Sequence, residues 1–433
     1  MINQSNQNVC GTGAPEADLD AADFRPILEK ALANIAPNSK ILAIIPDKTR
    51  DDNTDQLFPI AAEILNRKNI ARLDALVAQG THSPMPEAEK LLKIGAKNLA
   101  EIPNLRNIFD HDWSDPENLT IIGELPAEKV REITGNLFDE AIPLSINKLL
   151  APGNYDVVLI FGATVPHEVA GFAGGAKYFF PGVAGAELTH KTHWLAALAT
   201  IENIIGRIET PTRHLIEAAA DFVPAEVVSI TSVVSRDDEN RLRTHALFAG
   251  DFRLALRRAA AVSQKVHIKY SGRKYRRVVA LLDEHYDELW TGGKASYRLG
   301  AIIETGGELI IYAPHLTCIS ETHGAAIEKF GGYAPLETVK ELVAQSGELQ
   351  QYLCVAAHLA HVAYAGETDE SGKVVKRFKI TLDSKVDEET CLRVNLNFLH
   401  YQTFNRADYE NDPDTLIVER AGRDLYLIAP HKD

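Results

Sequence analysis

Short apolar runs separated by helical patterns constrain the fold of this chain more than any other feature of its sequence. In the first half these runs are "ILAII" (41–45), "ARLDALVAQGTH" (71–82), "LTIIGEL" (119–125) and "YDVVLIFGATV" (155–165). Stretches such as "LFPIAAEILNRK" and "MPEAEKLLKIG" lie between them. Uninterrupted apolar runs are typical of strands that are buried on both faces of a sheet. The pattern predicts a mainly parallel sheet with helices on both sides.

A second series of strands and helices follows the helical segment 250–264 and the basic, turn-rich segment 269–277. Its elements are a strand at "VVALLD" (278–283), a helix from about Lys294, a strand at "ELIIYAP" (308–314), helices to about Val362, and strands at "KVVKRFKITL" (373–382) and "TLIVER" (415–420). We therefore expect an α/β protein of two domains, 1–265 and 266–433, each with a mainly parallel sheet. Because ligands commonly bind between domains, we expect the active-site cleft there.

Charge and cysteine content exclude several classes of protein. The formal net charge of −15 disfavours nucleic acid and anionic membranes as partners, although a local basic pocket still admits a small anion. No secretion signal is recognisable, and no apolar stretch approaches the roughly 20 residues that span a bilayer. Cys10, Cys318, Cys354 and Cys391 have no metal-site spacing. We expect reduced thiols and a cytoplasmic location.

Polar loops follow the apolar runs where open α/β sheets bind ligands, beyond the carboxyl ends of the strands. The candidate residues are Asp47, Lys48, Thr49 and Arg50 after the first run, His82 after the second, His167 after the fourth, and Thr291 and Lys294 in the second series. Arg50 is suited to bind a carboxylate or phosphate, but residues 47–50 could equally be a turn and helix start. Either histidine alone could be a loop residue that is bonded to the backbone.

The segment "PHEVAGFAGGAKYFFPG" (166–182) is the most specific motif. A phosphate-binding Walker loop would have Ser or Thr where this chain has Tyr178, and the G-x-G-x-x-G dinucleotide spacing is absent. A zinc-protease helix would need a second histidine in place of Gly171. Glycines permit positive φ and a close approach to a ligand, which Lys177 could then reach as a cation or a nucleophile. The alternative is a glycine-rich crossover with an exposed lysine.

Two further histidines, His190 and His193, lie on a predicted helix in "ELTHKTHW" (187–194). A spacing of three places them on adjacent parts of one helix face. Neutral imidazole is a common ligand for nickel and zinc. We expect one of the two to bind a metal and the other to pack.

Taken together, these motifs resemble the lactate racemase family. The matching residues are Asp47-x-Thr49-Arg50, Gly80-x-His82, Pro166-His167 with Gly171, Gly174-Gly175-x-Lys177 with Pro181-Gly182, and His193, in this order. The resemblance extends through "TGGKASYRLGAIIETGGELIIYAP" (291–314). Members of this family are nickel-dependent 2-hydroxyacid racemases and epimerases.

The resemblance implies a nickel pincer nucleotide, a pyridinium-3-thioamide-5-thiocarboxylic acid mononucleotide that carries Ni(II). Lys177 would form the thioamide link to this cofactor, and His193 would be the protein's nickel ligand. Residues 47–50 in the N-terminal domain and Lys294 in the C-terminal domain would contact the cofactor and the substrate carboxylate. Thr291, also in the predicted cofactor site, stands where we expect a glutamine.

The resemblance also implies an activity, the inversion of the hydroxyl-bearing α-carbon of a small anionic 2-hydroxyacid, lactate-like or larger. His82 and His167 would move the hydroxyl proton while a hydride passes from the α-carbon to the cofactor and back. Enzymes that synthesise the cofactor are implied partners. Two alternatives stay open. One is a zinc hydrolase that uses His82, His167 and His193, and the other is a non-catalytic protein that binds a sugar acid or nucleotide.

Overall fold

The computed structural model describes residues 9–80, 82, 84–113 and 115–430. The chain forms two compact units. The first ends at Thr192, resumes at Arg207 and continues to Val266, and the second contains His193–Gly206 and the chain from His267 onward. The predicted domain bounds, 1–265 and 266–433, place residues 193–206 in the first domain instead. The predicted cleft between the domains stays a prediction.

The first unit is built on a mixed sheet with the strand order β1-β11-β10-β7-β2-β3-β4. Strands β10, β7, β2, β3 and β4 pair in parallel, and β11 and β1 add an antiparallel edge. The strands of this unit are β1 Cys10–Gly13, β2 Lys40–Pro46, β3 Arg72–Ala78, β4 Leu105–Phe109, β5 Leu119–Leu125, β6 Ile142–Asn147, β7 Val157–Ala163, β8 Pro166–His167, β9 Gly171–Phe172, β10 Glu226–Arg236 and β11 Leu242–Gly250.

Helices cover this sheet, and its central strands are apolar because they are buried on both faces. In chain order the helices up to residue 267 are α1 Ala21–Ala31, α2 Thr54–Arg67, α3 Glu87–Lys93, α4 Ala127–Thr134, α5 Ala186–Leu198, α6 Ile201–Ile204, α7 Pro211–Ala220 and α8 Phe252–His267. Of these, α6 and the end of α5 from His193 onward belong to the second unit. Every residue of β7 is buried. The rings of Phe58 on α2 and Phe161 on β7 lie 5.4 Å apart in the core. The predicted mainly parallel α/β fold is therefore confirmed.

One predicted strand of the parallel sheet was assigned wrongly. Residues Leu119–Leu125 form β5, which pairs antiparallel with β6 in a separate two-stranded sheet. Most of β5 is partly exposed, and Ile121 is 68% exposed. An apolar run of this length is compatible with either environment, so the sequence pattern alone could not separate a partly exposed strand of a two-stranded sheet from a central strand.

The second unit has its own parallel sheet, in the order β18-β17-β14-β13-β19. Its strands are β12 Ile268–Tyr270, β13 Tyr275–Leu281, β14 Ile303–Ala313, β15 Gly366–Thr368, β16 Val374–Lys376, β17 Lys379–Ser384, β18 Asn397–His400, β19 Thr415–Val418 and β20 Leu425–Leu427. Its further helices are α9 Leu289–Gly292, α10 Lys294–Leu299, α11 Gly324–Lys329, α12 Leu336–Gln345, α13 Leu353–Ala363, α14 Glu388–Arg393 and α15 Ala407–Glu410. The run 373–382, predicted as one strand, is divided between β16, which pairs antiparallel with β15, and β17.

Two findings bear on the chemistry of the whole chain. All of the cysteines, Cys10, Cys318, Cys354 and Cys391, are free thiols. Within the described ranges, every helix is too short or too polar to cross a bilayer.

Candidate active site

The candidate residues of the first unit come together because their strands are neighbours. Strands β7, β2 and β3 lie side by side and parallel, so the loops that follow them meet at one edge of the sheet. Asp47 follows β2, His82 follows β3, and His167 and Lys177 follow β7. The backbone N–H of Gly80 also donates to the carbonyl of Gly182 at 2.9 Å, which ties the loop of His82 to the end of the glycine loop.

Asp47 holds His82 in one orientation and one tautomer. Its Oδ2 lies 2.9 Å from Nδ1 of His82, while its Oδ1 accepts from the backbone N–H and the hydroxyl of Thr49 at 2.7 and 2.5 Å. Burial alone would raise the pKa of the Asp47 carboxyl, but the hydrogen bond and charge of His82 and the charge of Arg50 outweigh it and hold the pKa well below its usual range. The carboxylate is therefore ionised and Nδ1 of His82 donates to it, so in the neutral ring the lone pair is on Nε2.

Helix α3 supports the loop after β2 from outside. Lys93 donates to the carbonyl of Arg50 at 3.0 Å and to the carboxylate of Asp52 at 2.8 Å. Lys48, which was predicted to contact the cofactor, is 58% exposed and forms an ion pair with Glu89 at 3.1 Å. The loop is thus fixed largely by charges, and Lys48 contributes to this support.

The ring of His167 accepts a hydrogen bond at Nδ1, whereas the ring of His82 donates one from that atom. It is buried on the short strand β8, and its Nδ1 accepts a hydrogen bond from the backbone N–H of Val169 at 3.0 Å. A neutral imidazole that accepts at Nδ1 carries its hydrogen on Nε2. The carboxylate of Glu168 lies 3.6 Å from the same Nδ1. The two candidate acid–base histidines therefore have opposite neutral tautomers.

The glycine loop adopts the backbone conformation that its sequence predicts. Gly171, Gly174 and Gly175 have φ values of +75°, +101° and +59°. A Cβ at Gly174 would lie 2.9 Å from Oγ1 of Thr164 and 3.1 Å from the side chain of Leu256. At this position the close approach is to the strand end and helix behind the loop, so glycine is required by packing within the protein.

A buried arginine that the sequence analysis missed anchors this loop. Arg213, at the start of α7, is fully buried and donates to the carbonyls of Gly174 at 3.2 Å, Ala170 at 3.3 Å and Phe172. Burial lowers the pKa of Arg213 to about 10, and the charge of Glu217, one helical turn later, opposes this. The sequence indicates this role only through the four-residue spacing of Arg213 and Glu217, and oppositely charged pairs at this spacing are also common on exposed helices.

Lys177 lies in a 3-10 turn, Gly175–Tyr178, and is enclosed on most sides. Burial and then the charge of Arg50 lower its pKa to about 7, while the charges of Glu168 and Asp47 act in the opposite direction. Near neutral pH a large fraction of this amine is uncharged, and an uncharged amine is a nucleophile.

The remaining candidates belong to the second unit. His193 lies on α5 where the chain passes into this unit. Thr291 donates from its hydroxyl to the carbonyl of Glu288 at 3.0 Å, and Nζ of Lys294 lies 5.8 Å from the ring centre of Tyr286. His190 packs edge-on against Trp113 in the first unit, with ring centres 6.0 Å apart. The convergence of the second-unit residues with the loops of the first stays a prediction.

A metal site built from protein ligands alone is not found in the part of the chain that the structure describes. No three His, Cys, Asp or Glu side chains there converge closely enough to hold a metal ion.

Comparisons with known proteins show which proteins this chain resembles. Residues 4–204 match the model of the lactate racemase N-terminal domain. Over 170 residues, 39% of this chain and 35% of the relative, the sequence is 29% identical to a lactate racemase of Thermoanaerobacterium thermosaccharolyticum. Over 234 residues, 53% of this chain and 49% of the relative, it is 27% identical to a lactate racemase of Lactiplantibacillus plantarum. The matched segments thus span half or less of these curated relatives.

Solved structures cover more of the chain. A protein from Thermotoga maritima matches with a TM-score of 0.84 and 30% identity, over 94% of this chain and 98% of that one. The lactate racemase apoprotein from T. thermosaccharolyticum matches with a TM-score of 0.70 and 17% identity, over 93% of this chain and 92% of that one, which shows a shared fold. The match of residues 4–204 to the N-terminal domain model, together with the two sequence relatives, identifies the chain as a member of the lactate racemase family.

Proposed function

We propose that this protein is a racemase or epimerase of 2-hydroxyacids. The observation that carries the proposal is the pair of histidines with opposite tautomers, His82 bonded to Asp47 and His167 bonded to the Val169 N–H, in the loops after the two strands that flank β2. Inversion of a hydroxyl-bearing carbon through a keto acid requires that the hydroxyl proton be removed and then returned. One imidazole with a free lone pair and one with a hydrogen at the corresponding nitrogen suit these two tasks.

The residues of the first unit fit a lysine-linked nickel pincer nucleotide. An amine with a pKa of about 7 is partly uncharged near neutrality, as attachment through Lys177 would require. Lys177 would carry the cofactor, and His193 of the second unit would bind its nickel, for which imidazole is a suitable ligand. When bound, the cofactor would supply a hydride acceptor for the substrate's α-carbon.

The protein's own side chains would then orient the substrate and move its proton. Arg50 and, from the second unit, Lys294 would bind the carboxylate, for which a guanidinium and an ammonium are suitable partners. His82 would take the hydroxyl proton at Nε2, and Asp47 would stabilise the resulting imidazolium. His167 would return the proton and would accept it in the opposite direction. The free thiols support a reducing, cytoplasmic setting.

The test is to incubate cofactor-loaded protein with a panel of enantiopure 2-hydroxyacids, from lactate to sugar acids, and to follow optical inversion. We expect at least one acid to be inverted in both directions, and a variant with the exposed His285 replaced by Ala to retain this activity. Loaded protein that binds these acids and never inverts them would instead support a non-catalytic binding protein.

A further inference from the structure

Glu168 interacts with two groups whose charges change in the proposed reaction. Its Oε2 is 3.6 Å from Nδ1 of His167, and its charge raises the pKa of Lys177 against the larger effects of burial and Arg50. The side chain is only 17% exposed, so the interactions of its charge are screened less than those of a surface carboxylate. One carboxylate therefore acts on both the lysine and the acid–base histidine of the same loop.

Two groups compete for Nδ1 of His167. The backbone N–H of Val169 donates to this atom and so favours the neutral imidazole. The Glu168 carboxylate favours the form with a hydrogen on Nδ1, and an imidazolium that can donate from Nε2 must carry that hydrogen. The strength of the Glu168 interaction thus decides how readily His167 becomes the acid.

The charge on Lys177 controls this strength. While Lys177 is an ammonium, it and His167 both interact with the carboxylate of Glu168. A lysine nitrogen that has become part of a thioamide carries no charge, so Lys177 then no longer competes with His167 for this carboxylate. We propose that Glu168 is a positioning residue whose carboxylate serves Lys177 while that side chain is a free ammonium, and holds His167 in its protonated form once Lys177 is uncharged. This inference rests on the proposed function, in which Lys177 is the attachment point.

The test measures the pKa of His167 directly, in the full-length protein without cofactor, by NMR titration of ring-labelled histidine. The signal of His167 is assigned from its loss in a His167→Gln variant. Lys177→Met imitates the loss of charge on attachment and should strengthen proton binding by His167 about threefold or more. Glu168→Gln should weaken it about tenfold or more. Glu187→Gln, a change of an exposed glutamate on α5, is the matched control and should leave it unchanged.

The double variant shows whether the effect passes through Glu168. Without Glu168 the Lys177 amine loses a stabilising charge and is more often neutral, although Asp47 still favours and Arg50 and Arg213 still oppose its charged form. Lys177→Met should therefore change proton binding by His167 at least twofold less in the Glu168→Gln background. The two single variants shift the same signal in opposite directions, which a general loss of structure would not produce.

Two results would overturn the inference, an unchanged His167 titration in Glu168→Gln, or an equal effect of Lys177→Met with and without Glu168. Inversion of hydroxyacids by the loaded enzyme is measured separately. Inversion without the coupling would refute the role of Glu168 alone, whereas coupling without inversion would refute the proposed function alone.

Discussion

The loops after β3 and β7 flank the loop after β2, and each carries one of the two candidate acid–base histidines. His82 is partly exposed and its Nδ1 is bonded to the Asp47 carboxylate, which this bond, the charge of Arg50 and the hydrogen bonds from Thr49 keep ionised. His167 is buried and its Nδ1 is bonded to a backbone N–H, with a carboxylate at a longer distance. The same side chain is thus prepared as a proton acceptor in one loop and as a donor in the other.

The comparison shows that neighbouring groups at Nδ1, and not the identity of the residue, set the role of each histidine. The loop of His82 is fixed by side-chain charges from α3. The loop of His167 is fixed by backbone pairing between β8 and β9 and by the Arg213 guanidinium on its carbonyls. Each loop can therefore be disturbed separately, by changing charges in one and buried hydrogen bonds in the other.

The largest effect is expected from removal of either imidazole. His82→Ala and His167→Ala should each lower kcat for inversion by roughly 10³-fold, within the range that general acid–base groups supply. Because the two act as one unit, the double variant should be little slower than either single variant. Steady-state rates in both directions provide the measurement. A double variant that retains a substantial part of the activity would show that other groups transfer the proton.

Changing the partner of His82 should have the next largest effect. Asp47→Asn allows the amide to donate to Nδ1 and so favours the tautomer with hydrogen on Nε2, where a base needs a lone pair. We expect kcat to fall by about 10²-fold, with the neutral-to-acid limb of the pH–rate profile displaced to lower pH, because the imidazolium loses its carboxylate. Thr49→Val, which keeps the carboxylate, is the control and should cost less than about tenfold. Equal losses in the two variants would mean that only loop structure had been affected.

Replacing Arg213, the buried residue that anchors the glycine loop, should lower the stability of the protein. Arg213→Met removes donors from three carbonyls and leaves Glu217 without part of its charge balance, so the free energy of unfolding should fall by about 3 kcal/mol. Arg241→Ala, at an exposed ion pair with Asp237, should cost less than about 1 kcal/mol. Urea unfolding measures both. Similar small losses would show that the guanidinium does not hold the loop.

The smallest effect concerns the pH dependence of stability at Asp47. The pKa of Asp47 in the folded state lies below its unfolded value of about 3.9, so the ionised carboxylate stabilises the fold above that value, and this stabilisation is lost as the pH falls through the lower folded-state pKa. Asp47→Asn should lower the free energy of unfolding by about 1–2 kcal/mol near neutrality, and the difference should narrow below about pH 4. A difference that grows below about pH 4 would contradict the low pKa. Asp139→Asn, at an exposed ion pair, is the control.

Much of the fold and part of the site could be predicted from local sequence. The buried strands β2, β3 and β7 were recognised because a strand covered on both faces is apolar throughout, and the loops after them carry Asp47, His82, His167 and Lys177. The positive φ values of the glycine loop followed from its composition. These features depend on residues close in sequence.

The features that were missed depend on contacts between distant segments. Arg213 lies more than thirty residues after the carbonyls it binds, and no local pattern marks a buried arginine. The ion pair of Lys48 was missed because its partner Glu89 lies on α3, about forty residues later, while the predicted contact of Lys48 with the cofactor stays a prediction. Strand β5 was mistaken for a central strand because the apolar content of its sequence does not show that the strand is partly exposed.

The most direct test of the account is the position of the ring hydrogen in His82 and His167. Two-bond ¹⁵N–¹H correlation spectra of the full-length protein with labelled histidine, recorded above the pH range in which histidines titrate, report this for each neutral ring. The account predicts hydrogen on Nδ1 of His82 and on Nε2 of His167. The same nitrogen protonated in both rings, or the reverse arrangement, would contradict it.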